Sequence, residues 1–192
     1  MNKITEIPTL GQLEAELKRE KYRHQYGRVL QSTIFTLITV AAAAILVATL
    51  WMPVLQIYGT SMSPTLVNGN IVVSVKGNDF QSGDVIAFYY NNKILVKRVI
   101  AGPGDWVNID EDGTVYVNDK KLDEPYLTAQ ALGDCNIKLP YQVPENRLFV
   151  MGDHRSVSVD SRNTTVGCVA EEQIVGKLVF CIWPLKDFGK ID

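Results

Sequence analysis

The sequence predicts a mostly β protein, an antiparallel sheet domain carried on a single N-terminal transmembrane helix. Two observations lead there. Residues 29–75 form a run of 47 positions without Asp, Glu, Lys, Arg or His, and the first 24 of them, residues 29–52, are almost wholly apolar. A helix of about 20 apolar residues crosses the ~30 Å hydrocarbon core of a bilayer. Beyond Pro53 the pattern changes to short β-branched and aromatic runs separated by turn residues, the pattern of an all-β domain. With 192 residues there is room for one substantial domain and an appendage.

In chain order, residues 9–26 place Leu10, Leu13 and Leu17 at helical spacing after Thr9, an N-cap residue type, with Pro8 before it. This predicts a short amphipathic helix leading into the membrane. Residues 29–52 follow as the span, with Trp51 at the interfacial level. Five basic residues, Lys18, Arg19, Lys21, Arg23 and Arg28, lie just before it, so the N-terminus is expected in the cytoplasm. The expected organisation is residues 1–28 cytoplasmic, 29–52 transmembrane and 53–192 extracytoplasmic. A cleaved secretory signal is the rival reading, but the charged leader and the apolar segment are both longer than such signals require.

Strands are predicted over Ile71–Val75, 84–90, Lys93–Ala101, Trp106–Ile109, 114–117, Arg147–Met151 and Ile174–Trp183. Asn91-Asn92 and Asp112-Gly113 are hairpin turns by composition. Residues 119–146 are polar and without periodicity, and are expected as an insertion between strands. The net charge of −2 points to no nucleic-acid partner. Cys135, Cys168 and Cys181 form no metal-binding spacing and are expected as small buried hydrophobes; no metal or organic cofactor is expected.

Two serines, Ser61 and Ser63, sit a few residues beyond the span. A serine nucleophile needs a base. The chain has two histidines, His24 and His154, and His24 precedes the membrane segment. That leaves His154 or a lysine, whose amine serves as a base once burial has disfavoured its charged form. Most lysines of the domain lie beside turns or in polar stretches, whereas Lys97 lies inside the run ILVKRVI. The period of two puts it on one face with Leu95 and Val99, and puts Val96, Arg98 and Ile100 on the other.

Three segments, GTSMSPTL (59–66), VKRVIAGPGD (96–105) and MGDHRSVSVDSR (151–162), together with EPYL (124–127), resemble the ordered motif boxes of bacterial type I signal peptidases. The likeness extends over most of residues 53–185. It implies a partly barrel-like catalytic domain and a serine endopeptidase that uses a Ser/Lys dyad and an acyl-enzyme to cleave signal peptides from exported preproteins. Ser61 matches the nucleophile, Lys97 the general base and Ser158 the residue that orients the lysine amine; Ser63 matches a variable position. Arg98, Asp153, Asp160 and Arg162 match supporting residues that hold the third box against the strand of Lys97. Gln56, Ile57, Tyr58, Gly59, Leu95 and Val96 are the expected substrate-binding residues. The implied partners are signal peptides and membrane lipid.

Two positions depart from the family pattern. His154 stands where Asn is commoner, and is expected as a solvated loop residue. Gly59 stands where some members carry an oxyanion-stabilising hydroxyl, which leaves the Ser61 backbone N–H as the expected donor. Two other readings compete: a self-cleaving repressor with the same dyad, disfavoured by the long neutral run, and a non-catalytic membrane-anchored β module that binds peptides.

Overall fold

The computed structural model describes residues 9–191; Pro8, expected just before the first helix, lies outside them. The chain divides into two compact units, residues 1–48 and 49–192.

The expected amphipathic helix and the expected span form one element, α1, Leu10–Trp51, 42 residues and about 63 Å long at 1.5 Å per residue. The junction contains Gly27 but no proline, and a helical glycine costs only about 1 kcal/mol relative to alanine. The helix therefore runs through it. Gln12 Oε1 accepts the Thr9 backbone N–H at 3.0 Å, half of a capping box. In the apolar half the hydroxyls of Thr33, Thr36 and Thr39 donate to carbonyls one turn back, at 2.8–2.9 Å. Such bonds satisfy these three hydroxyl donors within the helix itself. Within this helix lies a stretch long and apolar enough to cross a membrane.

The second unit holds twelve strands: β1 Val54–Gln56, β2 Ile71–Val75, β3 Val85–Tyr90, β4 Lys93–Ala101, β5 Trp106–Ile109, β6 Val115–Val117, β7 Lys120–Lys121, β8 Tyr141–Gln142, β9 Arg147–Met151, β10 Val169–Ala170, β11 Ile174–Trp183 and β12 Gly189–Lys190. The larger sheet runs β1-β2-β11-β3-β4-β9-β10 with β12 against β11, and the smaller runs β7-β6-β5-β8. All pairings are antiparallel, as the alternating runs predict.

β3 and β4 are joined by Asn91 and Asn92, both at positive φ (44° and 61°), so the turn twists with its strands and pairs Tyr90 with Lys93. That register sets Lys97 opposite Ile86 and Arg98 opposite Val85. Both faces of β4 are covered from Lys97 to Ala101, so this end of the strand belongs to the interior. Val99 packs with Ile86, Phe88 and Val150, whereas Ile100 joins Phe149 and Met151 in a second cluster. A third cluster collects Ile57, Met62, Leu66 and Val72 with Val85 and Leu178. The segment 119–146 supplies β7 and β8 to the smaller sheet and packs Leu122, Leu132, Ile137 and Leu139 against the second cluster.

Candidate active site

Ser61 lies in the turn-rich segment between β1 and β2. Met62 and Leu66, buried to 2% and 1% exposure, pin that segment to the third cluster, while Ser61 itself stays half-buried. Lys97 is only 3% exposed, and its Nζ lies 2.8 Å from Ser61 Oγ. Desolvation by this burial holds the amine below its ordinary pKa. Arg162 pushes the same way, and the carboxylates of Asp160 and Asp153 oppose them. A less basic amine beside a hydroxyl is the arrangement needed to draw off the hydroxyl proton.

The third box folds against the serine segment. The His154 backbone N–H donates to the Ser61 carbonyl at 3.0 Å. Close approach is possible because residue 152 is glycine: a Cβ there would stand 2.3 Å from Ser158 Oγ and 2.5 Å from the Ser61 carbonyl oxygen. Arg98 binds Asp153 through two bonds, Nε to Oδ1 at 2.9 Å and Nη2 to Oδ2 at 2.8 Å, and also reaches the Gly83 carbonyl at 2.7 Å. This pair joins β4 to the third box. Arg162 binds Asp160 two residues away and donates to the carbonyls of Leu132 and Arg155, which ties the box to segment 119–146. Arg98, Asp153, Asp160 and Arg162 are each no more than 1% exposed, so their charges are compensated by one another, by the backbone and by the side chains packed against them.

One expectation needs correction, that of His154. Ser158 is buried with no hydrogen-bond partner for its Oγ among the described residues, and the Lys97 amine bonds Ser61. His154 is half-buried rather than solvated, with a buried Nδ1 that also has no partner, because its backbone is held against the Ser61 carbonyl.

Three participants escaped the sequence reading. Thr65 Oγ1 donates to Asp153 Oδ2 at 2.5 Å and joins the serine segment to the Arg98–Asp153 pair. Arg155 forms a buried ion pair with Glu124. Tyr126 donates its hydroxyl to Glu124 and lies 3.9 Å beneath the Arg98 guanidinium. The signal for all three was their presence inside the quoted boxes, but polarity alone does not pair an arginine with a distant glutamate.

A cleft of about 500 Å³ opens beside Ser61 and Lys97. Gln56, Ile57, Tyr58, Gly59, Leu95 and Val96 all line it. On one side β1 is an edge strand. On the other, β4 pairs with β9 only from Arg98 onward, so β4 residues 93–97 keep their outer edge open.

A half-buried serine against a buried amine, beside a cleft with two strand edges, has the form of a hydrolase that acts on extended peptides. The family model described as "Signal peptidase, peptidase S26" matches residues 30–183. Signal peptidase I of Bacillus licheniformis is 34% identical, over 92% of this chain and all of its own length. Signal peptidase IB of Staphylococcus aureus strain COL is 41% identical over 69% of this chain and 78% of its own. The solved structure of a signal peptidase I from Enterococcus faecalis V583 is 31% identical and covers 52% of this chain and 97% of its own, with a TM-score of 0.43. The chain belongs to the signal peptidase family, peptidase S26, and is a serine peptidase.

Proposed function

We propose that the protein is a single-pass membrane enzyme that removes signal peptides from exported preproteins through Ser61 and Lys97. The observation that carries the proposal is the 2.8 Å contact between a nearly fully buried amine and the Ser61 hydroxyl. When the amine is neutral the hydroxyl donates to it. As Ser61 Oγ attacks the scissile carbonyl, its proton passes to Lys97 and the carbonyl oxygen gains negative charge, which the Ser61 backbone N–H stabilises. The resulting ammonium protonates the departing amine, leaving an acyl-enzyme and a neutral lysine. Water then gives a proton to Lys97 and its hydroxide adds to the ester, and collapse returns the proton to Ser61.

The substrate's extended segment enters as a strand between residues 56–59 and residues 94–96, with backbone hydrogen bonds supplying affinity. Small residues at the first and third positions before the cut suit the apolar walls of Ile57, Tyr58, Leu95 and Val96. Ser158 acts as the lysine-orienting residue: its buried, unpartnered hydroxyl is available to the amine during turnover. Arg98, Asp153, Asp160 and Arg162 hold the framework. The N-terminal helix anchors the enzyme, with residues 1–28 in the cytoplasm, following the basic residues before the apolar stretch, and residues 53–192 outside.

The test is processing of a purified preprotein in detergent or vesicles. Ser61→Ala and Lys97→Ala are each expected to abolish cleavage while leaving the protein folded. Cleavage by either variant at the wild-type rate refutes the dyad.

A further inference from the structure

The cleft has a far end that the chemistry does not use. Following β4 away from Lys97, the open edge passes Val96, Leu95 and Ile94 and stops at Lys93 and Asn92, beside the β3–β4 turn. Lys93 and Lys97 are four residues apart on one strand, so they share a face about 13 Å apart at 3.3 Å per residue. No aspartate or glutamate lines the cleft. Among the described residues Lys93 makes no ion pair, and it is exposed. Lys97 is buried against Ser61, so Lys93 is the exposed basic side chain of this cleft.

From this we infer that Lys93, with the Asn92 amide beside it, forms a cationic subsite that reads the fourth or fifth substrate residue before the cut. It favours an acidic side chain there and disfavours a basic one. The inference rests on the reading of the cleft as the binding site for the residues preceding the scissile bond. The length follows from strand geometry: a substrate strand beside β4, with its reacting carbonyl at Ser61, advances 3.3 Å per residue and reaches Lys93 after four steps. The walls between the two lysines are apolar, so they exclude large side chains without sensing charge. Discrimination by charge falls to the end.

The experiment measures kcat/KM of the full-length enzyme in detergent on three preproteins that differ only in Asp, Ala or Lys at the fourth residue before the cut, with a parallel set at the fifth. Wild type is expected to prefer Asp to Lys about fivefold at low salt in one of the sets, mainly through KM, and to lose the preference near 1 M salt. Lys93→Glu is expected to reverse the order, and Lys93→Gln to level it. Reading the ratio within each enzyme separates this effect from any general loss of stability. An unchanged Asp-to-Lys ratio in Lys93→Glu overturns the inference while the dyad stands, since cleavage continues. A Lys93→Glu protein that keeps the wild-type ratio but binds anionic vesicles less well also overturns it, because the lysine then faces lipid headgroups. Should wild type and the Ser61→Ala variant process every substrate alike, the underlying reading of the site fails first.

Discussion

The Arg98–Asp153 pair offers the sharpest measurement of what holds the site together. Asp153→Asn keeps the side-chain size, so it opens no cavity; it removes the negative charge facing a guanidinium that is 1% exposed and turns one of the two oxygens that accept from Arg98 into an amide donor. Removing one partner of a buried pair costs about 3–5 kcal/mol, because the remaining charge is left without compensation. Arg98 keeps the Gly83 carbonyl and the face of Tyr126, and Thr65 can still donate to the new amide oxygen, so the lower end, about 3 kcal/mol, is expected. With a urea dependence of about 2 kcal/mol per molar, the midpoint falls by about 1.5 M. Pulse proteolysis across a urea series reads the folded fraction of residues 49–192. The combined variant Arg98→Met with Asp153→Leu is expected to regain part of the loss, since an apolar pair of similar volume leaves no unpaired charge, while the Gly83 carbonyl and the Thr65 hydroxyl lose these partners. A loss below about 1 kcal/mol in Asp153→Asn, or a combined variant as unstable as its two single changes added, refutes the reasoning.

Other outcomes follow from the same geometry. Activity should rise with pH through the ionisation of Lys97, at a midpoint below the ordinary lysine value, because only the neutral amine accepts the Ser61 proton; a kcat/KM profile checks this. Between that depressed midpoint and the ordinary value, about 10.4, the unfolded chain binds the extra proton, so Lys97 contributes a rise in stability with pH that Lys97→Met should remove. Gly152→Ala places a methyl within 2.5 Å of the Ser61 carbonyl and is expected to lower kcat at least 100-fold by displacing the nucleophile, measured on a cleavable preprotein. Brief iodoacetamide treatment of the native protein should modify Cys135 well before Cys168 and Cys181, whose buried thiols are pushed up in pKa, as mass spectrometry would show.

Strands long enough to show a period were legible from the sequence alone. Ile71–Val75, Lys93–Ala101 and Ile174–Trp183 have the predicted limits, because each alternates or runs apolar over five or more residues. β1, β7, β8, β10 and β12 were not, since two or three residues carry no period and owe their pairing to neighbours fixed elsewhere. For the site, Lys97 was marked by its apolar flanks, whereas Thr65 and Arg155 were hidden. A hydroxyl in a turn and an arginine in a loop look solvated until tertiary packing encloses them. Ser158 shows the same limit: the motif marked it as a site residue, but its hydroxyl makes no hydrogen bond among the described residues.

The Asn91-Asn92 turn lies at the opposite end of β4 from the chemistry, yet it decides which side chain arrives at Ser61. Residues 97 and 98 are neighbours with different places in the fold, one carrying a buried amine against Ser61 and the other a guanidinium paired with Asp153. A slip of one position between β3 and β4 would present a guanidinium to the nucleophile. On the proposed mechanism, Ser61 would then face a group that cannot serve as its base.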